Sequence, residues 1–184
     1  MIRWQCCLIA IVWFLGSSSS EAQQEKISWS QNRPITWSDF RGAPEENSPY
    51  SANVNSGIGY SWSYSTASGE PILVFEVSCS FYPELSWRKA TITDADYLLE
   101  HERAHFDISE LHARKLQQAL ENYEIGRTVR LDLRRIYQKI ESERVAMQEQ
   151  FDKETSHSEN RNKELEWQVY IDRELEKLKS FQHQ

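Results

Sequence analysis

The chain has 184 residues, with 21 Lys plus Arg against 28 Asp plus Glu and a formal net charge of −7. That length suits one domain or at most two small ones, and the acidic balance argues against nucleic-acid binding and against a polybasic membrane-surface module. Seven Trp, eight Tyr and seven Phe are too rich an aromatic supply for a disordered chain.

Arg3 precedes an apolar run over residues 6–16, which is followed by four serines and by small residues at Ser20 and Ala22. This pattern predicts a secretory signal peptide over residues 1–22, because the run is too short for the roughly 20 apolar residues that a membrane span needs. Residues 23–184 are then expected to form a single exported domain, periplasmic or secreted, with no membrane attachment after cleavage. Cys6 and Cys7 fall in the leader, so Cys79 is left without a partner for an internal disulfide.

Residues 23–90 read as strand-rich. The segment Ile35 to Phe40 reads as a short strand or a turn, and residues 42–51 as a loop. Ile58, Tyr60, Trp62 and Tyr64 alternate with small residues, which is the period of a half-buried strand. Residues 67–71 (ASGEP) form a turn cluster, and residues 72–81 alternate again, with Leu73, Phe75, Val77, Cys79 and Phe81 on one face. The pair predicts an antiparallel β-hairpin, with Cys79 as a small buried hydrophobe. Tyr82-Pro83 ends the second strand.

Residues 91–184 read as helical. Thr93 is expected to cap a long helix that runs to about Tyr123 and stops near Gly126. Leu133, Ile136, Ile140, Met147 and Phe151 predict a second helix over residues 129–153, and the polar stretch 155–162 predicts a loop. Trp167, Ile171, Leu175 and Leu178 mark a third helix over about residues 162–181. The fold class expected is α+β: a small antiparallel sheet followed by about three helices.

The first long helix carries His101-Glu102-Arg103-Ala104-His105, an HExxH motif. Residues four apart on a helix lie on one face, about 6 Å apart along the axis and rotated by about 40°. Two imidazoles so placed can converge on one zinc ion. Glu102, rotated by about 100° from His101, stands beside the ion, where it could activate a zinc-bound water. Leu98, Ile108, His112 and Leu116 share the face of both histidines, so the motif points inward, where imidazoles without partners would be costly.

A catalytic zinc takes three protein ligands and keeps one position open. Asp107 points about 160° away from the bisector of the two histidines and reads as a solvated or capping carboxylate. His112 lies about 10 Å further along the helix than His105. His183 stands next to the C-terminus. His157 is the leading choice for the third ligand, with Glu154, Asp152 and Glu143 as the alternatives.

The residues Tyr97 to Ile108 resemble the core of an exported bacterial domain-of-unknown-function family (DUF922), whose members are often labelled zinc-dependent proteases. The similarity extends to Trp37 through Gly42, Gly57 through Tyr60, Phe81 through Trp87, and Phe151 through His157. Members commonly place Gly after the downstream His, where this chain has Ser158, and Arg103 departs from the uncharged residues that classical zincins prefer between the histidines. The resemblance implies a zincin-like domain with a metal site. The function expected is an exported zinc metallopeptidase acting on a peptide or protein substrate, with Glu102 as the general base. The alternatives are a non-catalytic exported binding domain and a structural metal-binding protein.

Overall fold

The structure, a computed structural model, describes residues 24–182. The segment read as a signal peptide, residues 1–22, and His183 lie outside the described residues.

Alternating apolar residues build the sheet. β3 (Ser56–Ser65) and β4 (Ile72–Phe81) pair antiparallel with Ile58 opposite Cys79 and Trp62 opposite Phe75. This register puts Leu73, Phe75, Val77, Cys79 and Phe81 on the inner face, where the last three are buried. β1 (Ile27–Ser28) adds to the far side of β4, giving the order β1-β4-β3. β2 (Ala52–Asn53) and β5 (Trp87–Arg88) form a separate two-stranded ladder. The Ile35 to Phe40 segment is a turn: Trp37–Asp39 is one turn of 3-10 helix, with Asp39 accepting from the Thr36 backbone N–H at 2.8 Å.

Three helices follow: α1 (Ala95–Glu121), α2 (Val129–Thr155) and α3 (Arg161–Lys177). The cap of α1 is not Thr93. Asp94 takes that position with a left-handed backbone (φ 56°) and pairs with Arg161 of α3. The third helix ends earlier than its apolar spacing suggested, and residues Lys179–Phe181 tighten into a 3-10 turn. No helix among the described residues is long and apolar enough to cross a membrane.

α1 is the central element. One stripe, with Phe106, Ala113, Leu116 and Leu120, faces Ile58, Val77, Cys79 and Phe81 of the sheet, together with Leu133 and Ile140 of α2. A second stripe, with Ala104, Ile108 and Leu111, faces Phe151 of α2 and Trp167, Ile171 and Leu175 of α3. A helix apolar on two sides is buried around most of its circumference. Each fully buried Leu, Ile or Phe contributes about 1.5–3 kcal/mol, so these two clusters supply most of what holds the helices on the sheet. Gly42 closes the front loop. Its N–H donates to Ser86 O at 2.8 Å, and a Cβ there would stand 2.9 Å from the carbonyl oxygens of Glu84 and Ser86, so a side chain does not fit.

Candidate metal centre

α1 presents His101 and His105 one turn apart, and α2 returns antiparallel so that its last turn meets them. Phe151, fully buried, wedges against both imidazoles, which also touch each other at 4.8 Å between centroids: it stacks on His101 at 4.7 Å and meets His105 edge-on at 4.9 Å. The residue after the wedge, Asp152, then faces both rings. Its Oδ1 lies 3.3 Å from His101 Nε2 and 2.9 Å from His105 Nε2. The three donor atoms all lie within 4.8 Å of one another, a grouping able to hold a metal ion.

The far sides of the rings decide which nitrogen is free. Gln148 donates through Nε2 to His105 O (2.8 Å) and Ser109 Oγ (3.3 Å), so its amide oxygen is the atom turned to His105 Nδ1. That oxygen can only accept, so Nδ1 carries a hydrogen and Nε2 is the nitrogen left to ligate an ion. The buried Glu164 carboxylate does the same for His101, with its oxygens 3.1 and 3.2 Å from Nδ1. Both imidazoles are therefore held with Nε2 toward the Asp152 oxygen. Ligands of a tetrahedral ion with bonds of about 2.1 Å lie about 3.4 Å apart, close to the two histidine–Asp152 spacings of 3.3 and 2.9 Å. Two imidazole nitrogens and a carboxylate are a zinc-type donor set, and the fit is good.

The electrostatics agree. Burial works against a charged His101, but hydrogen bonds to Asp152 and Glu164 outweigh it and raise its pKa to about 9. Burial also opposes a charged Asp152, yet the two imidazoles hold its carboxyl well below the usual range. A cation at this point is stabilised by the same carboxylates.

Glu102 is 4 % exposed and stands beside the pair. The chain between β2 and β3 fixes it, with Val54 N–H donating to Oε2 at 2.8 Å. Burial raises its pKa, with the two imidazoles opposing. Glu102, His101, His105 and Asp152 all line one cleft of about 1100 Å³, whose rim includes Tyr50 and His157. His157 stands in a run of three left-handed residues, Ser156 (φ 52°), His157 (φ 50°) and Ser158 (φ 70°). Its Nδ1 lies 3.5 Å from Asp152 Oδ1, and its Nε2 lies 3.2 Å from the Tyr50 hydroxyl. Tyr97, one turn before His101, brings a buried hydroxyl with no hydrogen-bond partner to the same cleft.

Of the alternative third ligands, Asp152 meets both histidines. Glu154 instead accepts from Trp167 Nε1 at 3.0 Å, and Glu143 pairs with Lys139 at 3.1 Å. His112 is bonded to Ile108 O at 2.8 Å and lines a different groove. Asp107 is not a cap, and it is only partly exposed. It accepts from Trp29 Nε1 at 2.6 Å, and burial lifts its pKa to about 6. Arg103, the odd residue of the motif, points to the front loop and donates to Ile35 O at 2.8 Å. Sequence reasoning missed Gln148 and Glu164. A signal for the second was present: Glu164 precedes Trp167, Ile171 and Leu175 at helical spacing and so lies on the buried stripe of α3.

Comparison with curated proteins and with solved structures gives no significant match. Residues 83–158 match the family model described as "Bacterial protein of unknown function (DUF922)", from the turn after β4 through β5, α1, α2 and the Ser156–Ser158 turn. His101, Glu102, His105, Asp152 and His157 all fall inside this segment, so over residues 83–158 the chain is similar to that family.

Proposed function

We propose that this chain is an exported zinc-dependent peptidase in which His101, His105 and Asp152 hold the ion and Glu102 is the general base. One observation carries the reading: a buried carboxylate, fixed by a backbone N–H, stands beside two imidazoles whose free nitrogens face a common carboxylate oxygen in an open cleft. Bound zinc would supply Lewis acidity, polarising a scissile carbonyl and making water a usable nucleophile near neutral pH.

The chain's own residues do the rest. Glu102 takes a proton from the attacking water and returns it to the leaving amine, and its burial keeps it a stronger base than an exposed glutamate. Gln148 and Glu164 hold the imidazoles in the ligating tautomer. β3 is paired on one side only, and its first residue, Ser56, lines the cleft, which suits backbone pairing with an extended peptide. The leader pattern of residues 1–22 supports export.

Glu102→Gln tests the reading. The variant is expected to keep one zinc per chain while cleavage of a peptide library falls by about 10²–10⁴-fold. Undiminished cleavage by that variant would sink the mechanism.

A second reading rests on His157. With its Nδ1 3.5 Å from the Asp152 oxygen, it could complete a closed set of four ligands, the arrangement of a structural site. X-ray absorption of the zinc-loaded chain separates the two. Three protein ligands and a light oxygen favour the peptidase, and four protein ligands favour the structural site.

A further inference from the structure

We propose that Glu164 is a positioning residue of the metal centre, so that the working site extends onto α3, beyond the segment matched to the family. This rests on the reading of His101 as a metal ligand and adds to it a residue that aims that ligand.

The geometry is specific. Glu164 is 1 % exposed, lies in the first turn of α3, and has His101 as its one ion-pair partner among the described residues. No Lys or Arg pairs with it among the described residues. A carboxylate in such a place is costly unless a hydrogen bond and a nearby positive charge repay the lost hydration. Packing does not ask for it: Glu164 continues the stripe of Trp167, Ile171 and Leu175, where a leucine of similar length would serve the core better.

What the carboxylate does there is act on His101. Both its oxygens lie within 3.2 Å of Nδ1. The N-terminal end of α3 favours its charge, and the Asn160 side chain, accepting from Lys163 N at 3.3 Å, caps that end. The helix is locked at the same point by Trp167, edge-on to Phe151 at 5.7 Å, the ring that also wedges His101. α3 thus delivers one buried charge to the back of one ligand, where it fixes ring orientation and increases the basicity of Nε2. His105 receives only the neutral Gln148 amide.

The test compares the full mature chain with Glu164→Gln, which keeps an acceptor without the charge, and Glu164→Leu, which loses both. Zinc affinity is measured by competition with a chromophoric chelator, and the site is read independently through the visible absorption of the cobalt-substituted protein. Affinity is expected to fall by about 10-fold in Glu164→Gln and about 100-fold in Glu164→Leu. The cobalt bands are expected to shift in Glu164→Gln, while the metal-free chain unfolds at the same temperature as the original or a higher one. If Glu164→Leu does not fold, Glu164→Gln alone decides.

Zinc binding and cobalt bands unchanged in the variants, with an original chain that binds one zinc, would overturn the role of Glu164 and leave the metal centre standing. An original chain that takes up no zinc would overturn both.

Discussion

Replacing Phe151 by alanine empties the space against which the two imidazoles and Trp167 of α3 pack. The ring is fully buried and touches His101, His105 and Trp167 at centroid distances of 4.7, 4.9 and 5.7 Å. A Phe→Ala change in a core costs about 3–5 kcal/mol, the lost transfer energy plus the cavity left behind. The value here should fall near about 4 kcal/mol, because two long helices enclose the ring and collapse poorly around it. That is a large part of the 5–15 kcal/mol that holds a typical domain together. At about 2–4 °C per kcal/mol for a domain of this size, Tm should fall by about 8–16 °C. Urea unfolding of the metal-free chain, with the slope m checked for constancy, gives the number directly. Zinc affinity should fall with it, by about 10-fold or more, since both rings gain freedom. Phe151→Leu, which refills most of the volume, should cost less than about 2 kcal/mol and keep most of the affinity. A loss below about 1.5 kcal/mol in Phe151→Ala, or an unchanged zinc affinity, would refute the wedge.

His112 gives the pH dependence. Burial, together with the nearby Lys115, lowers its pKa from 6.5 to about 4, with the hydrogen bond to Ile108 O and the Glu143 charge opposing. The neutral ring is favoured in the fold, so its contribution is present in full above pH 6.5 and is lost as pH falls from 6.5 toward 4. The loss amounts to about 3 kcal/mol. Asp107 and Glu110 act in the opposite sense, since burial raises them to about 6 and about 7 and their contribution fades as pH rises through those values. They are common to both proteins, so the difference between the original chain and His112→Gln isolates the histidine. Unfolding free energies at pH 7 and pH 4.5 should show a shallower acid loss in the variant, and equal losses would contradict the assignment. Ser158→Gly should stabilise the chain by about 1 kcal/mol, because Ser158 holds a φ of 70° that glycine adopts without steric cost. A variant that melts below the original would show that the Ser158 side chain offsets its own backbone strain.

Much of this architecture can be read from local pattern. Alternation over residues 72–81 sets the face of β4, because adjacent side chains on a strand must point to opposite sides. The spacing of two histidines four apart puts both rings on one side of α1, whatever lies opposite. The α2 and α3 stripes are likewise legible from their apolar period.

What lies opposite is a different kind of information. Asp152 rather than Glu154 faces the histidines because α2 comes back in a register set by Phe151, and the 100° turn per residue sends Glu154 to Trp167 instead. Asp107 is drawn into a bond with Trp29, just past β1 and 78 positions earlier, so its helical angle alone gave the wrong surroundings. Glu164 reaches His101 across 63 positions of chain. Periodicity is a property of neighbours along a helix and specifies which face a residue shares. Which distant residue meets that face depends on how two helices dock, and docking is set by the shapes of all the side chains between them.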